Sequence, residues 1–208
     1  MLKKIAQISI WLVLVSIWIF SSAFVTKSYQ KILLSDVEIN FISDNQHKFI
    51  TKSEINDMLS SLGVVKGVAF RESFDIKFLE KKIFDHPAVK KVDVFFVNNG
   101  KLVINVKKRT PIGRVISTAA EKNFYIDKEG FLMPLCSTYV AKVPLFSGNI
   151  KLPETINIFS LTALNKLLII QKVYKMSQLI NNDSFLKSQI VQIHINNNGY
   201  FELIPRIG

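Results

Sequence analysis

Three histidines (His47, His86, His194), one cysteine (Cys136) and the close carboxylates Asp127 and Glu129 are the residues from which metal or acid–base chemistry would have to be built. The histidines are scattered, and none has a ligand partner at a useful spacing, so no metal site is expected. There is no G-x-S-x-G, no phosphate loop and no H-E-x-x-H. Asp127 and Glu129 stand in Asp127-Lys128-Glu129-Gly130, a turn in which an aspartate side chain bonds nearby backbone amides. Cys136 has no second cysteine to pair with and reads as a small buried apolar residue. Lys107-Lys108-Arg109 reads as a solvated strand end whose charges discourage edge pairing. These residues point to a binding or scaffolding protein, not an enzyme, with no cofactor and no small-molecule substrate.

The charge balance narrows the partners. The chain carries 27 basic and 16 acidic residues, a formal net charge of +11. Only Arg71, Arg109, Arg114 and Arg206 are arginine; the rest of the basic set is lysine. Base and phosphate recognition draws on bidentate guanidinium groups and aromatic stacking, and neither pattern is present, so nucleic acid is not expected as a partner. Plain solvated lysine with no specific partner is the preferred reading; attraction of a lysine-rich surface near a bilayer to anionic headgroups or wall polymers is the alternative.

A membrane is implied more directly. Ile5 to Thr26 contains no charged side chain. A helix of that length spans roughly 33 Å, against a hydrocarbon core of about 30 Å. It is apolar on every face, which argues against a soluble core helix. Lys3 and Lys4 favour a cytoplasmic N-terminus, although Lys27 and Lys31 flank the other end. A cleaved signal is the alternative, with Ser21-Ser22-Ala23 at the cut, but Phe24-Val25 carries the apolar run past that point. Either reading puts the bulk of the chain outside the cytoplasm.

Behind that segment two modules are legible. Leu33–Ile42 reads as a strand with Val37, Ile39 and Phe41 on one face. Thr51-Lys52-Ser53-Glu54 forms a capping box before Ile55, Met58, Leu59 and Leu62, and Gly63 ends that helix. Ser73 is the expected N-cap of a second helix carrying Ile76, Leu79 and Ile83, which His86-Pro87 ends. Val89–Val97 and Lys101–Lys108 alternate around Asn98-Asn99-Gly100, expected as a type I′ hairpin turn. Pro111 and Gly113 read as a boundary. Beyond it, Arg114–Ser117, Asn123–Ile126 and Phe131-Leu132-Met133 are short strand candidates, and Val143–Gly148 is a further apolar segment. Residues 159–180 are the longest helical candidate, with too many lysines to span a membrane. Ile190–Ile195 and Tyr200–Ile204 form a last hairpin. The fold class is therefore α+β: a membrane helix, a β-α-α-β-β module, and a strand-rich module with one long helix.

That order of parts resembles the FtsQ/DivIB bacterial cell-division family, whose first extracytoplasmic module is a POTRA domain. His86-Pro87-Ala88-Val89-Lys90-Lys91-Val92-Asp93-Val94 is similar to the family's helix-to-strand junction. Lys101–Val106 followed by Lys108-Arg109-Thr110-Pro111-Ile112-Gly113 resembles its module junction. Tyr125-Ile126-Asp127-Lys128-Glu129-Gly130-Phe131 and Val143-Pro144-Leu145-Phe146-Ser147-Gly148 resemble its turn and its "L-P-x-L-x-G" segment. The resemblance implies a cytoplasmic tail at 1–4, an anchor at 5–26, a connector at 27–32, a POTRA-like domain at 33–111 and an FtsQ-type β domain at 112–208 that lacks the family's C-terminal strands. It also implies a single-pass inner-membrane protein at the division septum, a non-catalytic scaffold that links membrane partners of the FtsB/FtsL and FtsW/FtsI types to septal wall synthesis. An exported POTRA-like binding protein assisting envelope or outer-membrane assembly is the alternative. The candidate partner-binding residues are Tyr200, Phe201, Glu202, Leu203 and Ile204, an alternating strand whose unpaired edge would accept an extended segment. The Glu202 amide is expected among its free donors.

Overall fold

The computed structural model describes residues 9–21, 33–42, 48–73, 75–97, 99–117, 123–152 and 167–206. Residues 9–21 form a helix, α1, whose side chains are all exposed. Residues 5–8 and 22–26 of the expected anchor lie outside the described set. Among the described residues no helix is long and apolar enough to cross a membrane.

The chain divides into two compact units. The first draws on Met1–Asn40, Lys52–Ile83 and Val92–Val106, the second on Phe41–Thr51, Phe84–Lys91 and Lys107–Gly208. In the first, helix α2 (Lys52–Ser61) begins directly after Thr51. It ends where Gly63, at φ 78°, lets the Val64 amide bond the Leu59 carbonyl and its own amide bond that of Ser60. Those paired bonds satisfy carbonyls that the last turn would otherwise leave open. Helix α3 (Ile76–Phe84) starts two residues later than Ser73 would have it. Asp75 is the cap, its carboxylate accepting from the Lys77 amide at 2.9 Å, while Ser73 closes a short 3-10 turn over Arg71–Ser73. The strands β1 (Asp36–Phe41), β2 (Val89–Phe96) and β3 (Lys101–Lys108) form a sheet in the order β1-β3-β2. Ile39, Ile55, Leu59, Leu79, Ile83, Val94, Leu102, Ile104 and Val106 are buried. The β-α-α-β-β reading of this stretch is the arrangement found.

The second unit is built on a six-stranded sheet in the order β6-β5-β4-β7-β8-β9. Its strands are β4 (Pro111–Val115), β5 (Phe124–Asp127), β6 (Leu132–Pro134), β7 (Leu145–Gly148), β8 (Ile190–Ile195) and β9 (Phe201–Pro205). The pairs β4–β5, β5–β6 and β8–β9 are antiparallel, whereas β4–β7 and β7–β8 are parallel. Parallel neighbours need a crossover. Helix α4 (Leu168–Asn182) lies between β7 and β8 in the chain, and its Ile170, Val173 and Ile180 join Val115, Phe124, Phe146, Ile193 and Ile195 in one buried cluster. The helix starts after Leu167, in extended conformation, so the expected start at 159 and the stretch to 166 fall outside the described residues. Asp183 ends α4 and at once caps α5 (Ser184–Gln189) by accepting from the Leu186 amide at 3.0 Å.

Pro111 and Gly113 prove to be strand residues, not punctuation. Pro111 pairs with Asp127, with a bulge between 111 and 113. Gly113 is needed for space: a Cβ there would stand 2.6 Å from the Ser177 hydroxyl of α4 and 3.0 Å from the Phe146 ring. The loop segments of this unit are held by aromatic contacts. Phe49 meets Tyr125 and Tyr139 edge-on, with ring centroids 5.1 and 4.9 Å apart.

Candidate partner-binding edge

Three hairpins share one closing geometry, and it decides what the last strand offers. At Val97–Lys101 the Val97 amide bonds the Lys101 carbonyl and the Gly100 amide bonds Val97. Asp127–Phe131 and Asn196–Tyr200 repeat that pattern, with Gly130 and Gly199 in the place of Gly100. All three glycines have φ near 80°. This is the three-residue loop with a left-handed glycine, not the two-residue type I′ turn expected at Asn98-Asn99-Gly100. In the last hairpin the Asn196 carboxamide oxygen also accepts from the amides of Asn198 and Tyr200, both at 3.0 Å, which fixes the loop from inside.

The register follows from that closure. Asn196 and Tyr200 are a hydrogen-bonded pair, and Ile195↔Phe201, His194↔Glu202, Ile193↔Leu203 and Gln192↔Ile204 come next. Hydrogen-bonded and open pairs alternate in an antiparallel ladder. The amides and carbonyls of Glu202 and Ile204 therefore face β8, and those of Phe201 and Leu203 face away from it. The expectation that the Glu202 amide is a free donor is corrected: its N–H belongs to the β8–β9 ladder. No strand lies on the outer side of β9 among the described residues. The five candidate residues thus sit together at one sheet edge. Phe201 packs partly against the core, while Tyr200 is 69% exposed, Leu203 48% and Ile204 40%. The Glu202 carboxylate is held at the loop by the Asn196 side-chain amide at 2.8 Å.

The other residues with chemical potential serve the scaffold. Asp127 is fully buried; one carboxylate oxygen accepts from the amides of Glu129 and Phe131, the other from the Arg109 guanidinium at 3.0 Å. Burial pushes this carboxyl up, and the hydrogen bonds from Arg109 and Phe131 only partly offset it. Arg109 lies 3.7 Å over the centre of the Phe131 ring. Burial also raises the carboxyl of Glu129, but the ion pair with Lys90, together with Asp127 and Arg109, outweighs that and leaves it below the usual range. The turn reading of Asp127 and Glu129 stands; the solvated reading holds for Lys107, which is exposed, but not for Lys108 and Arg109. Strand alternation puts Lys108 on the buried side, 4.5 Å from the Phe41 ring, where burial lowers its pKa. Tyr174 donates to the Lys128 carbonyl and accepts from Gln178, and burial raises its hydroxyl above the ordinary value. Cys136 is half-buried in a loop, 3.1 Å from the Thr138 hydroxyl, not the core residue expected. Among the described residues no group of three or more histidine, cysteine or acidic side chains is placed to hold a metal ion.

A three-stranded α+β module followed by a mixed six-stranded sheet defines a two-module α+β protein. Residues 34–107 match the POTRA-like domain, and residues 110–208 match the family described as FtsQ/DivIB, C-terminal related. Together these two matches support the FtsQ/DivIB family and, with it, a division-related scaffold role. A search of curated proteins finds no match to the chain.

Proposed function

We propose that this protein is a single-pass membrane scaffold of the cell-division assembly, anchored through residues 5–26 with its N-terminus in the cytoplasm. Its POTRA-like module at 33–111 and its β module at 112–208 stand outside, and strand 200–204 receives an extended segment of a membrane partner of the FtsB/FtsL type. FtsW/FtsI-type proteins are the further partners in this reading, and septal wall synthesis is the process the scaffold serves. The observation that carries it is the outer edge of β9, where the backbone groups of Phe201 and Leu203 have no strand neighbour among the described residues and lie beside exposed apolar side chains. Strand addition satisfies such groups and takes its selectivity from alternate side chains. The anchor is supported by residues 9–21, helical, uncharged and exposed throughout.

The test is a photo-crosslinking residue at Leu203, compared with the same residue at Lys172 on the exposed side of α4, in intact membranes. Crosslinking to a small membrane division protein from position 203 and not from 172 is expected. Leu203→Pro should abolish it with the fold retained, since proline is tolerated where an edge N–H faces solvent. A folded Leu203→Pro protein that still captures the partner at full strength overturns the edge site. Recovery of a soluble protein beginning at Phe24 overturns the anchor.

A further inference from the structure

At one end of the six-stranded sheet, where β4, β7 and β8 begin and β9 finishes, there is a cavity of about 370 Å³. Its rim carries Lys128 from the β5–β6 loop, Lys142 from the segment before β7, Lys187 from α5 and Arg206 just past β9. Thr110 and Asn181 add polar groups, and no carboxylate is among the lining residues. The buried side chains of Pro111, Ile112, Pro144 and Ile180 form an apolar floor. Backbone bonds fix the frame: the Lys128 amide bonds the Thr110 carbonyl at 3.0 Å, and the Arg206 amide bonds the Gln189 carbonyl at 2.7 Å. Lys187 donates to the Asn181 carboxamide oxygen at 3.1 Å, and both residues line the cavity.

Four cations from four separate elements converging on one concavity repel one another, and a bound anion removes that cost. A single carboxylate would leave most of the positive charge unmatched; a phosphate or diphosphate matches it with several acceptor oxygens. Lysine ammoniums serve such groups as point charges and the arginine as a fork. The cavity lies in the size range of small-ligand sites, and its apolar floor can take a non-polar portion attached to the anion. We propose that this cavity binds a phosphate- or diphosphate-bearing ligand, either a free soluble anion or the headgroup of a lipid. The proposal does not depend on the anchor or on strand addition at β9.

The test uses the full chain in non-ionic detergent, titrated calorimetrically with inorganic pyrophosphate and, separately, with soluble dihexanoyl phosphatidate. Saturable binding that weakens with added salt is expected for at least one probe. Lys142→Gln and Arg206→Gln should each weaken it about threefold to tenfold, while Lys172→Gln, which removes the same charge outside the cavity, should not. Pyrophosphate binding as tightly as phosphatidate identifies a free anion as the natural ligand. Phosphatidate binding at least tenfold tighter identifies a lipid headgroup with its stem on the apolar floor. Absence of saturable binding for both probes, or equal weakening by Lys172→Gln, overturns the proposal.

Discussion

Gly113→Ala isolates the closest approach between helix and sheet in the second unit. Gly113 is not among the glycines at positive φ, so backbone freedom is not what requires it. The added Cβ would stand 2.6 Å from the Ser177 Oγ, 3.0 Å from the Phe146 Cε2 and 3.2 Å from the Ile126 Cγ2. Ordinary contact begins at 3.4 Å, so the worst of these falls 0.8 Å short. The Ser177 hydroxyl cannot simply swing aside, because it is fully buried and donates to the Val173 carbonyl at 2.8 Å. Either α4 or β4 must move, and overpacking of this kind costs about 1–3 kcal/mol. At about 4–8 °C per kcal/mol for a domain of roughly 100 residues, a central cost near 2 kcal/mol lowers Tm by about 8–16 °C. Ser177→Ala should be nearly neutral alone, since its hydroxyl bonds only back into its own helix and alanine is the better helix former. In the double variant it removes the worst contact and should recover about 1 kcal/mol, a coupling readable from a double-mutant cycle by urea and thermal melts. A Gly113→Ala protein melting within a degree or two of wild type would refute the reasoning. Strict additivity with Ser177→Ala would refute the assignment of the clash.

Arg109→Met leaves the buried Asp127 carboxylate without its charged partner and should cost about 3–5 kcal/mol in urea denaturation. Arg109→Lys should restore only part, because an ammonium is not planar and cannot both pair with Asp127 and stack on Phe131. The acid limb of stability should depend on β1, where the Lys101 hydrogen bond holds Glu38 below its ordinary 4.5 and Lys66 likewise holds Asp36 below 3.8. A depressed carboxyl contributes stability that is present above its unfolded value and lost as pH falls through the folded one. Tm should therefore fall as pH drops below that range, and Glu38→Gln should flatten this limb in melts taken across acid pH. Lys101 is raised above 10.5 by Glu38, so its share is present below that value and lost as pH rises through the folded pKa.

The elements that local rules govern were legible. Alternation located β1, β2, β3, β8 and β9, and the left-handed glycines at 63, 100, 130 and 199 fall where chain reversals or helix ends were expected. What misled was punctuation acting in a tertiary context. Gly113 looked like a break because its reason, Ser177, is far along the chain. Asp75 took the cap from Ser73 because Ser73 is used in the turn before it. Lys108 and Arg109 looked solvated because polarity in the sequence does not reveal Phe41, Phe131 and Asp127 in space. Pairing of β4 with β7 and β7 with β8 in parallel leaves no local trace, since buried strands of either direction read alike. The cations at 128, 142, 187 and 206 are invisible as a group until the sheet brings their elements to one end.

The choice of β9 as the docking strand rests on a comparison of edges. Of the four terminal strands among the described residues, β1 carries Asp36 and Glu38, and β2 carries Lys90, Lys91 and Asp93; charges of this kind deter a further strand. The edge strand β6 is three residues long, has Leu132 and Met133 buried, and ends in Pro134, which has no N–H to give. β9 is longer, and its one acid, Glu202, has its carboxylate tied back to Asn196. Its proline comes only at the far end, at 205, beyond the outward amides of Phe201 and Leu203. With no strand beside it among the described residues, a segment added to this edge would be restricted in register, since it would find donors at 201 and 203 and none at 205. Against β6, β9 differs in length and in the placing of its proline, and against β1 and β2 in carrying a single charge; each of these differences favours pairing.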